Sequence, residues 1–153
     1  MRRLSNRERK RLSEELGIEI REKEIYEEKI GKVTLYLFGK EKKPLLARYK
    51  NKLIPTFYFR DLIERLPRVV IDEGAANALR RGANLMAPGV IERPNPERGS
   101  LVLVVDKKGM YVGIGEAIVK DLPEKGVVVL MYHVISERDA ISNAIKILKG
   151  RSS

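Results

Sequence analysis

Two adjacent arginines followed by a glycine are the residues of this chain with the clearest chemical use. Arg80 and Arg81 end a predicted short helix, and Gly82 follows them. Guanidinium groups donate hydrogen bonds to phosphate oxygens, and a glycine lets a ribose approach the backbone closely. Arginine near a helix C-terminus also interacts favourably with the helix dipole, and glycine commonly follows a helix. The pattern therefore indicates either a phosphate-binding surface or an ordinary helix end.

Side chains suited to catalysis or metal binding are few. His133 is the one histidine, and it lies at the end of an apolar strand. Because there is no cysteine, a zinc site at His133 would need carboxylates as its other protein ligands, which is unusual. The G-x-S-x-G elbow of hydrolases is absent as well. We interpret His133 as structural and predict no catalytic residue, no metal site and no cofactor.

Gly113 and Gly115 raise the possibility of a nucleotide-binding loop. The dinucleotide fingerprint G-x-G-x-x-G requires a third glycine where this chain has Ile118, and the surrounding residues continue as a strand. No G-x-x-x-x-G-K-[ST] motif occurs either. The better interpretation is a barrel strand in which glycine permits a bend or a close approach of backbones.

The charge of the chain favours a polyanionic partner. Its 31 Lys and Arg against 21 Asp and Glu leave a net charge of +10, and residues 1–66 alone hold 18 against 11. An excess of this size favours binding to phosphate backbones. The charged content of 34%, without Cys, Trp or Gln, is typical of heat-adapted intracellular proteins. With no apolar run of about 20 residues and no signal peptide, we predict a cytoplasmic protein without a membrane partner.

A basic helix is predicted near the N-terminus. Ser5 and Glu8 have the spacing of a capping box, and the helix should run to about Leu16 and stop at Gly17. Its apolar stripe is thin. The basic residues on its wetter surface either form a solvated face or contact an RNA backbone; they are Arg7, Lys10 and Arg11.

The remaining elements of the first 66 residues predict a small mixed α/β domain. Strands are expected at residues 18–25, 32–38 and 44–49, with turns between them. A helix over residues 57–66 should begin at Thr56 as N-cap and end before Pro67. We place a domain boundary there, which gives domains of residues 1–66 and 67–153.

The second part is predicted to be a β-barrel with two helices. Short strands are expected at residues 69–71, 85–90, 101–105, 110–119 and 127–134. Their length and spacing favour a barrel over a doubly wound sheet, so the fold class is α+β. A helix is expected at residues 73–81, and a last one should begin at Ser136 and end at Gly150. The apolar stripe of that last helix should pack on this same chain.

Three short motifs resemble the opening of the PUA family, whose small pseudo-β-barrel binds structured RNA. They are Asp72-Glu73-Gly74-Ala75, Arg81-Gly82-Ala83-Asn84 and Ala87-Pro88-Gly89-Val90, and the segments at residues 99–106 and 110–117 match later strands. Ser100 departs from the family, which has an acidic residue there. The resemblance implies an RNA-binding surface on the helix and the following strand. Its residues are Arg80, Arg81, Gly82, Ala83, Asn84, Leu85, Met86, Ala87 and Pro88.

The first part is similar to the pre-PUA modules of some PUA proteins. Leu53-Ile54-Pro55-Thr56 carries this resemblance, together with the order of helix, sheet and helix. The layout is similar to archaeal relatives of the malignant-T-cell-amplified-sequence and density-regulated translation factors. Residues 1–66 are therefore predicted to be a pre-PUA α+β module. The eukaryotic relatives of these proteins bind the small ribosomal subunit and act on tRNA.

The resemblance implies a non-enzymatic RNA-binding protein acting in translation. Its partners would be structured RNA, either tRNA or rRNA, and the small ribosomal subunit or a partner protein. Two alternatives stay open at this point. One is a ribosome-assembly factor similar to the Nip family, and the other is an accessory RNA-targeting subunit of an RNA-modification enzyme. The oligomeric state is open as well.

Overall fold

A computed structural model describes residues 1–151, which fall into two compact units. The first unit comprises residues 1–59 and 144–151, and the second comprises residues 60–143. Both contain helices and strands, and the predicted α+β class is confirmed. The domain boundary after residue 66 stays a prediction. Within residues 1–151, no helix has both the length and the apolar character needed to cross a membrane.

The first unit is built on a five-stranded antiparallel sheet. Its strands lie in sequence order, so each pairs with its neighbours along the chain. Buried residues of the sheet and the helix form its core. The elements are β1 (Arg2–Arg3), α1 (Asn6–Leu16), β2 (Ile25–Ile30), β3 (Val33–Phe38), β4 (Lys43–Tyr49) and β5 (Lys52–Pro55).

Helix α1 begins and ends where the sequence predicts. The Ser5 hydroxyl accepts the N–H of Glu8 at 3.2 Å, and the Glu8 carboxylate accepts the N–H of Ser5 at 2.9 Å. Gly17 ends the helix with φ of +75°, a conformation that glycine adopts without strain. Arg2 also binds the Glu8 carboxylate, and its hydrogen bond is the main reason that the pKa of Glu8 falls to about 2.

The strand predicted at residues 18–25 is wrong. The backbone N–H of Ile18 donates to the Ser13 carbonyl, and that of Ile20 donates to the Ser13 hydroxyl. These donors are therefore satisfied by the end of α1 and not by a neighbouring strand. Strand pairing begins only at Ile25, the last residue of the predicted strand.

Residues 52–66 also differ from the prediction. Strand β5 was not expected, and the ten-residue helix is reduced to a single turn, α2 (Arg60–Ile63). Thr56 does not cap α2. Its buried hydroxyl donates to the Pro44 carbonyl at 2.6 Å and accepts the N–H of Tyr58 at 3.2 Å, which ties the turn after β5 to the start of β4.

The second unit contains a six-stranded, almost closed sheet in the order β7-β11-β10-β9-β6-β8. All its pairs are antiparallel except β6 with β9. The predicted strand at residues 85–90 is interrupted by a 3₁₀ turn at Ala87–Gly89. The elements are β6 (Arg68–Ile71), α3 (Glu73–Arg80), β7 (Leu85–Met86), β8 (Val90–Glu92), β9 (Leu101–Val105), β10 (Tyr111–Ala117), β11 (Val127–Val134) and α4 (Ala140–Arg151).

The two glycines of β10 lie where the sheet bends. The register shifts next to both of them, between Tyr111 and Gly113 on the β9 side and between Ile114 and Gly115 on the β11 side. A methyl group at Gly115 would lie 2.5 Å from the backbone oxygen of Leu130. The kinked barrel strand expected from these glycines is confirmed, since a larger residue would collide with β11.

Helix α4 starts later than predicted. Asp139, and not Ser136, caps it: the Asp139 carboxylate accepts both the N–H and the hydroxyl of Ser142 at 2.9 Å. The helix also continues through Gly150 to Arg151. Its apolar stripe is buried on this chain, as predicted; the buried residues are Ile141, Ala144, Ile145 and Leu148.

Candidate nucleic-acid interface

Helix α3 is held firmly at both ends. The Asp72 carboxylate accepts the N–H of Ala75 at 2.7 Å and thereby caps the first turn. Ala76 and Leu79 are buried in the core of the second unit, so the opposite side of the helix faces outward. At the other end, Gly82 adopts φ of +102° and its N–H donates to the Leu79 carbonyl at 3.0 Å.

Gly82 is needed for its backbone conformation. No heavy atom lies within 4 Å of the place that a Cβ would occupy, so the surface in front of this residue is open. The positive φ is one that residues with side chains rarely adopt. The glycine therefore serves the helix end, and it also leaves the adjacent surface accessible.

A groove lies between α3 and the segment that contains β7 and the 3₁₀ turn. Gly89 makes the close approach possible, because a methyl group there would lie 2.5 Å from the Cβ of Ala75. The Gly89 carbonyl accepts the N–H of Asp72 at 3.0 Å, which joins the two walls. The groove has a volume of about 290 Å³, and its lining includes Gly74, Ala75, Ala78, Ala83, Met86 and Pro88.

Three guanidinium groups lie around the C-terminal end of α3. Arg80 is half-buried and donates to the side-chain oxygen of Asn77 at 3.1 Å, whereas Arg81 is exposed. Arg138 donates to the Arg81 carbonyl at 3.4 Å, and Ser136 donates to the Arg80 carbonyl at 2.7 Å. In residues 1–151, no carboxylate forms a salt bridge with these arginines, which leaves their positive charge available to a phosphate.

Arg138 was missed as a site residue from the sequence. It follows Arg81 by 57 residues and precedes the first residue of α4 by two. Its position beside α3 depends on the Ser136 hydroxyl, which accepts the Arg138 N–H at 3.2 Å and donates to the end of α3. No local motif carries that information, because the two segments meet only in the folded unit.

The other predicted site residues of the second unit differ in the exposure of their side chains. Met86 is 47% exposed and Pro88 is also exposed, whereas Leu85 and Ala87 are buried. Of residues 85–88, only Met86 and Pro88 therefore present their side chains to a ligand. Ala83 and Asn84 are exposed as well, and the Asn84 side-chain oxygen accepts the N–H of Met131 at 2.9 Å, which binds it to β11.

The three predicted site residues of α1 lie in the first unit. Arg7, Lys10 and Arg11 are all exposed, and none forms a salt bridge with another residue in the part of the chain that the structure describes. The helix buries only Leu12. Its basic face is therefore open to solvent or to a ligand.

His133 has a structural role. It is 2% exposed, and its Nδ1 donates to the Asp139 carboxylate at 2.7 Å. Burial alone would raise the pKa of the Asp139 carboxyl, but the hydrogen bonds from His133 and from the N–H groups of Val134 and Ser142 lower it below its ordinary value. The pair ties β11 to the start of α4. Across residues 1–151, no three His, Asp or Glu side chains are grouped as around a metal ion.

Comparison with known families agrees with this geometry. Residues 67–131 match the model of the PUA domain. This part of the chain is a PUA domain. A PUA domain indicates RNA binding, and the barrel predicted from the resemblance is confirmed. The finer similarity to the malignant-T-cell-amplified-sequence proteins is not shown by this match.

Individual relatives are archaeal. A probable tRNA pseudouridine synthase B of Saccharolobus solfataricus is 35% identical over 85 residues, which cover 53% of this chain but 34% of the synthase. An uncharacterised protein of Methanocaldococcus jannaschii is 34% identical over 107 residues, 64% of this chain and 65% of that protein. The chain thus spans about a third of the synthase and just under two thirds of the Methanocaldococcus protein.

One solved structure has the same fold over nearly the whole chain. It is that of a hypothetical protein from Pyrococcus horikoshii, with a TM-score of 0.70 and 25% identity, covering 92% of this chain and 96% of that one. The chain is homologous to archaeal PUA-domain proteins, and no catalytic domain is evident in residues 1–151.

Proposed function

We propose that this protein is a non-enzymatic, cytoplasmic RNA-binding protein that acts in translation on tRNA or the small ribosomal subunit. The observation that carries the proposal is the α3 groove of the PUA domain, which has three guanidinium groups at one end that form no salt bridge within residues 1–151. Phosphate contacts from arginine position an RNA backbone, and apolar walls accept a ribose or a base.

The proposed contact has two parts. The side chains of Arg80, Arg81 and Arg138 bind phosphates, while Met86 and Pro88 pack against the sugar or base that enters the groove. Leu85 and Ala87 contribute through their backbone, since their side chains are buried. The open surface in front of Gly82 lets the RNA backbone approach the helix end. The basic face of α1 adds phosphate contacts from the first unit.

The role in translation rests on the resemblance of the first 66 residues to pre-PUA modules. The Leu53 to Thr56 motif supports it. In this protein the motif ends β5 and places the buried Thr56 hydroxyl against β4, so it is a structural element of the first unit. A similar module would present the PUA domain to the small subunit or to a partner protein.

An accessory role in RNA modification is the second candidate. It is favoured by the similarity to the Saccharolobus pseudouridine synthase. The match covers about a third of that synthase. On this proposal the chain delivers RNA to a separate catalytic protein. The third candidate is a role in ribosome assembly, in which the protein binds rRNA precursors, as the similarity to the Nip family implies.

Crosslinking followed by sequencing of the bound RNA, in cells that naturally make the protein, separates these candidates. Enrichment of tRNA or small-subunit rRNA supports the role in translation. Enrichment of large-subunit precursors would replace it with assembly, and co-purification with a modification enzyme would replace it with the accessory role. If no RNA were enriched over a mock purification, the RNA-binding proposal itself would be wrong.

A further inference from the structure

The first unit contains a cleft that the proposed PUA groove does not explain. Its volume is about 560 Å³, which lies in the range of small-molecule sites. Three buried apolar residues, Leu37, Pro44 and Leu148, form part of its lining. The cleft is therefore large enough for a ring system and apolar enough to hold one out of water.

A half-exposed tyrosine lies at this cleft. Tyr58 is 48% exposed, and its backbone N–H is held by the buried Thr56 hydroxyl. The Lys149 ammonium lies 4.4 Å from the centre of the Tyr58 ring and donates to its phenol oxygen. The aromatic ring is thus held in place and lies beside a cation, which is a suitable arrangement for stacking against a base beside its phosphate.

Lysines dominate the charge at the cleft. Lys42, Lys43 and Lys149 line it, against Glu41 alone among the acidic side chains that the structure describes. Glu41 is paired with Lys43 at 3.4 Å, and within residues 1–151 no carboxylate forms a salt bridge with Lys42 or Lys149, so these two lysines give the cleft a net positive charge. Lys42 is held in a left-handed turn with φ of +53°, and its ammonium lies 5.0 Å from the centre of the Tyr26 ring. The cleft therefore favours an anionic ligand.

We infer that this cleft binds one nucleotide of an RNA chain, with the base against Tyr58 and the apolar lining and the phosphate between Lys42 and Lys149. An apolar lining beside an aromatic ring and two available ammonium groups matches a base joined to a phosphate. This inference rests on the proposed RNA-binding function and adds a second contact to it, in a different unit.

The test is a titration of the full-length ¹⁵N-labelled protein with 5′-AMP and with 5′-UMP, followed by NMR. Ribose 5-phosphate, which lacks the base, is the control ligand. We expect shifts of the backbone signals around Tyr58, Lys42 and Leu148, with affinity about tenfold higher for the nucleotides than for ribose 5-phosphate, because stacking supplies the difference.

Two tyrosine variants make the test specific. Tyr58→Leu should weaken nucleotide binding about tenfold, since it removes the stacking ring while keeping apolar bulk. Tyr49→Leu is the matched control. The Lys50 ammonium lies 5.2 Å from the centre of the Tyr49 ring, but Tyr49 does not line the cleft. It should bind nucleotides as the unchanged protein does.

Several results would overturn the inference. They are equal affinity for ribose 5-phosphate, unchanged binding by Tyr58→Leu, or the absence of cleft shifts at millimolar nucleotide. Binding of a Glu-Leu peptide in the cleft without nucleotide binding would also overturn it in favour of a protein partner. The PUA groove is tested separately by charge reversal at Arg80 and Arg81, so either proposal can fail while the other stands.

Discussion

At the residue scale, single atoms decide where this chain bends and how its elements are joined. Gly115 and Gly89 both allow close approaches, and Gly82 provides a positive φ at a helix end. The His133–Asp139 pair joins a strand to a helix cap inside the second unit. Gly82 and Gly89 shape the proposed RNA surface itself, whereas Gly115 and the His133–Asp139 pair support the unit that carries it.

Gly115 gives the first prediction. Gly115→Val should lower the free energy of unfolding by about 1–3 kcal/mol, because the first side-chain carbon alone would lie 2.5 Å from the Leu130 oxygen and 2.6 Å from a Val129 methyl. Chemical denaturation followed by circular dichroism measures it. Gly150→Ala is the control, since that position is helical with open space around it, and it should stabilise by about 0.5–1 kcal/mol. A neutral Gly115→Val would contradict the packing described.

Asp139 gives a prediction on pH. Its folded pKa lies below the ordinary carboxyl value, so the unfolded chain binds a proton more readily and the stabilisation is fully present above about pH 4. It is lost as the pH falls through the folded pKa. Asp139→Asn should therefore cost about 1–2 kcal/mol at pH 7, and this difference should shrink below pH 4. Urea unfolding of both proteins between pH 2.5 and 7 measures it.

The exposed loop residue Asp121 supplies the control for that series. Asp121→Asn should stay close to the unchanged protein at every pH. A difference for Asp139→Asn that stayed constant down to pH 2.5 would show that its carboxylate charge does not support the helix cap.

At the scale of elements, the proposed RNA surface needs α3, β7 and the 3₁₀ turn together. The sequence predicts α3 well, since an acidic N-cap, small apolar residues and a final glycine agree with one another. It predicts the following strand poorly, because Pro88 and Gly89 favour a turn where the apolar residues alone suggest a continuous strand. That turn forms one wall of the groove.

Predictions of elements failed where side chains form hydrogen bonds with backbone groups beyond the next turn of the chain. Ser13 binds the N–H of Ile20, and Thr56 binds the Pro44 carbonyl. These bonds replace a predicted strand and remove a predicted helix cap. Local periodicity contains no information on such partners. Arg138 was missed as a site residue for the same reason.

The basic face of α1 gives a prediction at this scale. Replacing Arg7, Lys10 and Arg11 together with alanine should weaken RNA binding and make the dependence of log affinity on log salt shallower by roughly 2, because three phosphate contacts are lost. Filter binding at several KCl concentrations measures it. The control replaces three exposed lysines of the same unit, Lys23, Lys29 and Lys32, with the same loss of charge. Equal effects of both triplets would leave α1 as an ordinary solvated face.

At the scale of the whole molecule, charge and fold class were predicted from the sequence more completely than any site. The net charge of +10 and the α+β order of elements follow from composition and local signals. The cleft does not, because it is lined by segments that are distant in sequence. The groove lies within residues 72–89, but its shape depends on the close approach of Gly89 to Ala75, which local periodicity does not show. The PUA motifs supplied part of the missing information, since they locate the helix, glycine and turn that form the groove.

Binding of RNA by the whole molecule should depend strongly on salt. Each phosphate that is neutralised releases counterions, so affinity should fall steeply between 50 and 200 mM salt. The affinity of the unchanged protein should fall more steeply with salt than that of any variant that lacks some of the basic residues of the RNA surface. The size of the change in slope therefore counts the contacts that a variant has lost.

The most direct measurement compares two charge reversals on the PUA domain. Arg80→Glu with Arg81→Glu alters the proposed surface, whereas Lys107→Glu with Lys108→Glu alters an equally adjacent, exposed basic pair in the turn between β9 and β10. Both change the net charge by the same amount. With the RNA recovered by crosslinking as probe, we predict that the arginine pair loses at least about tenfold in affinity and has a shallower salt dependence, while the lysine pair stays close to the unchanged protein. Equal losses in both variants, or none in the arginine pair, would contradict the assignment of the α3 groove as the RNA-binding surface.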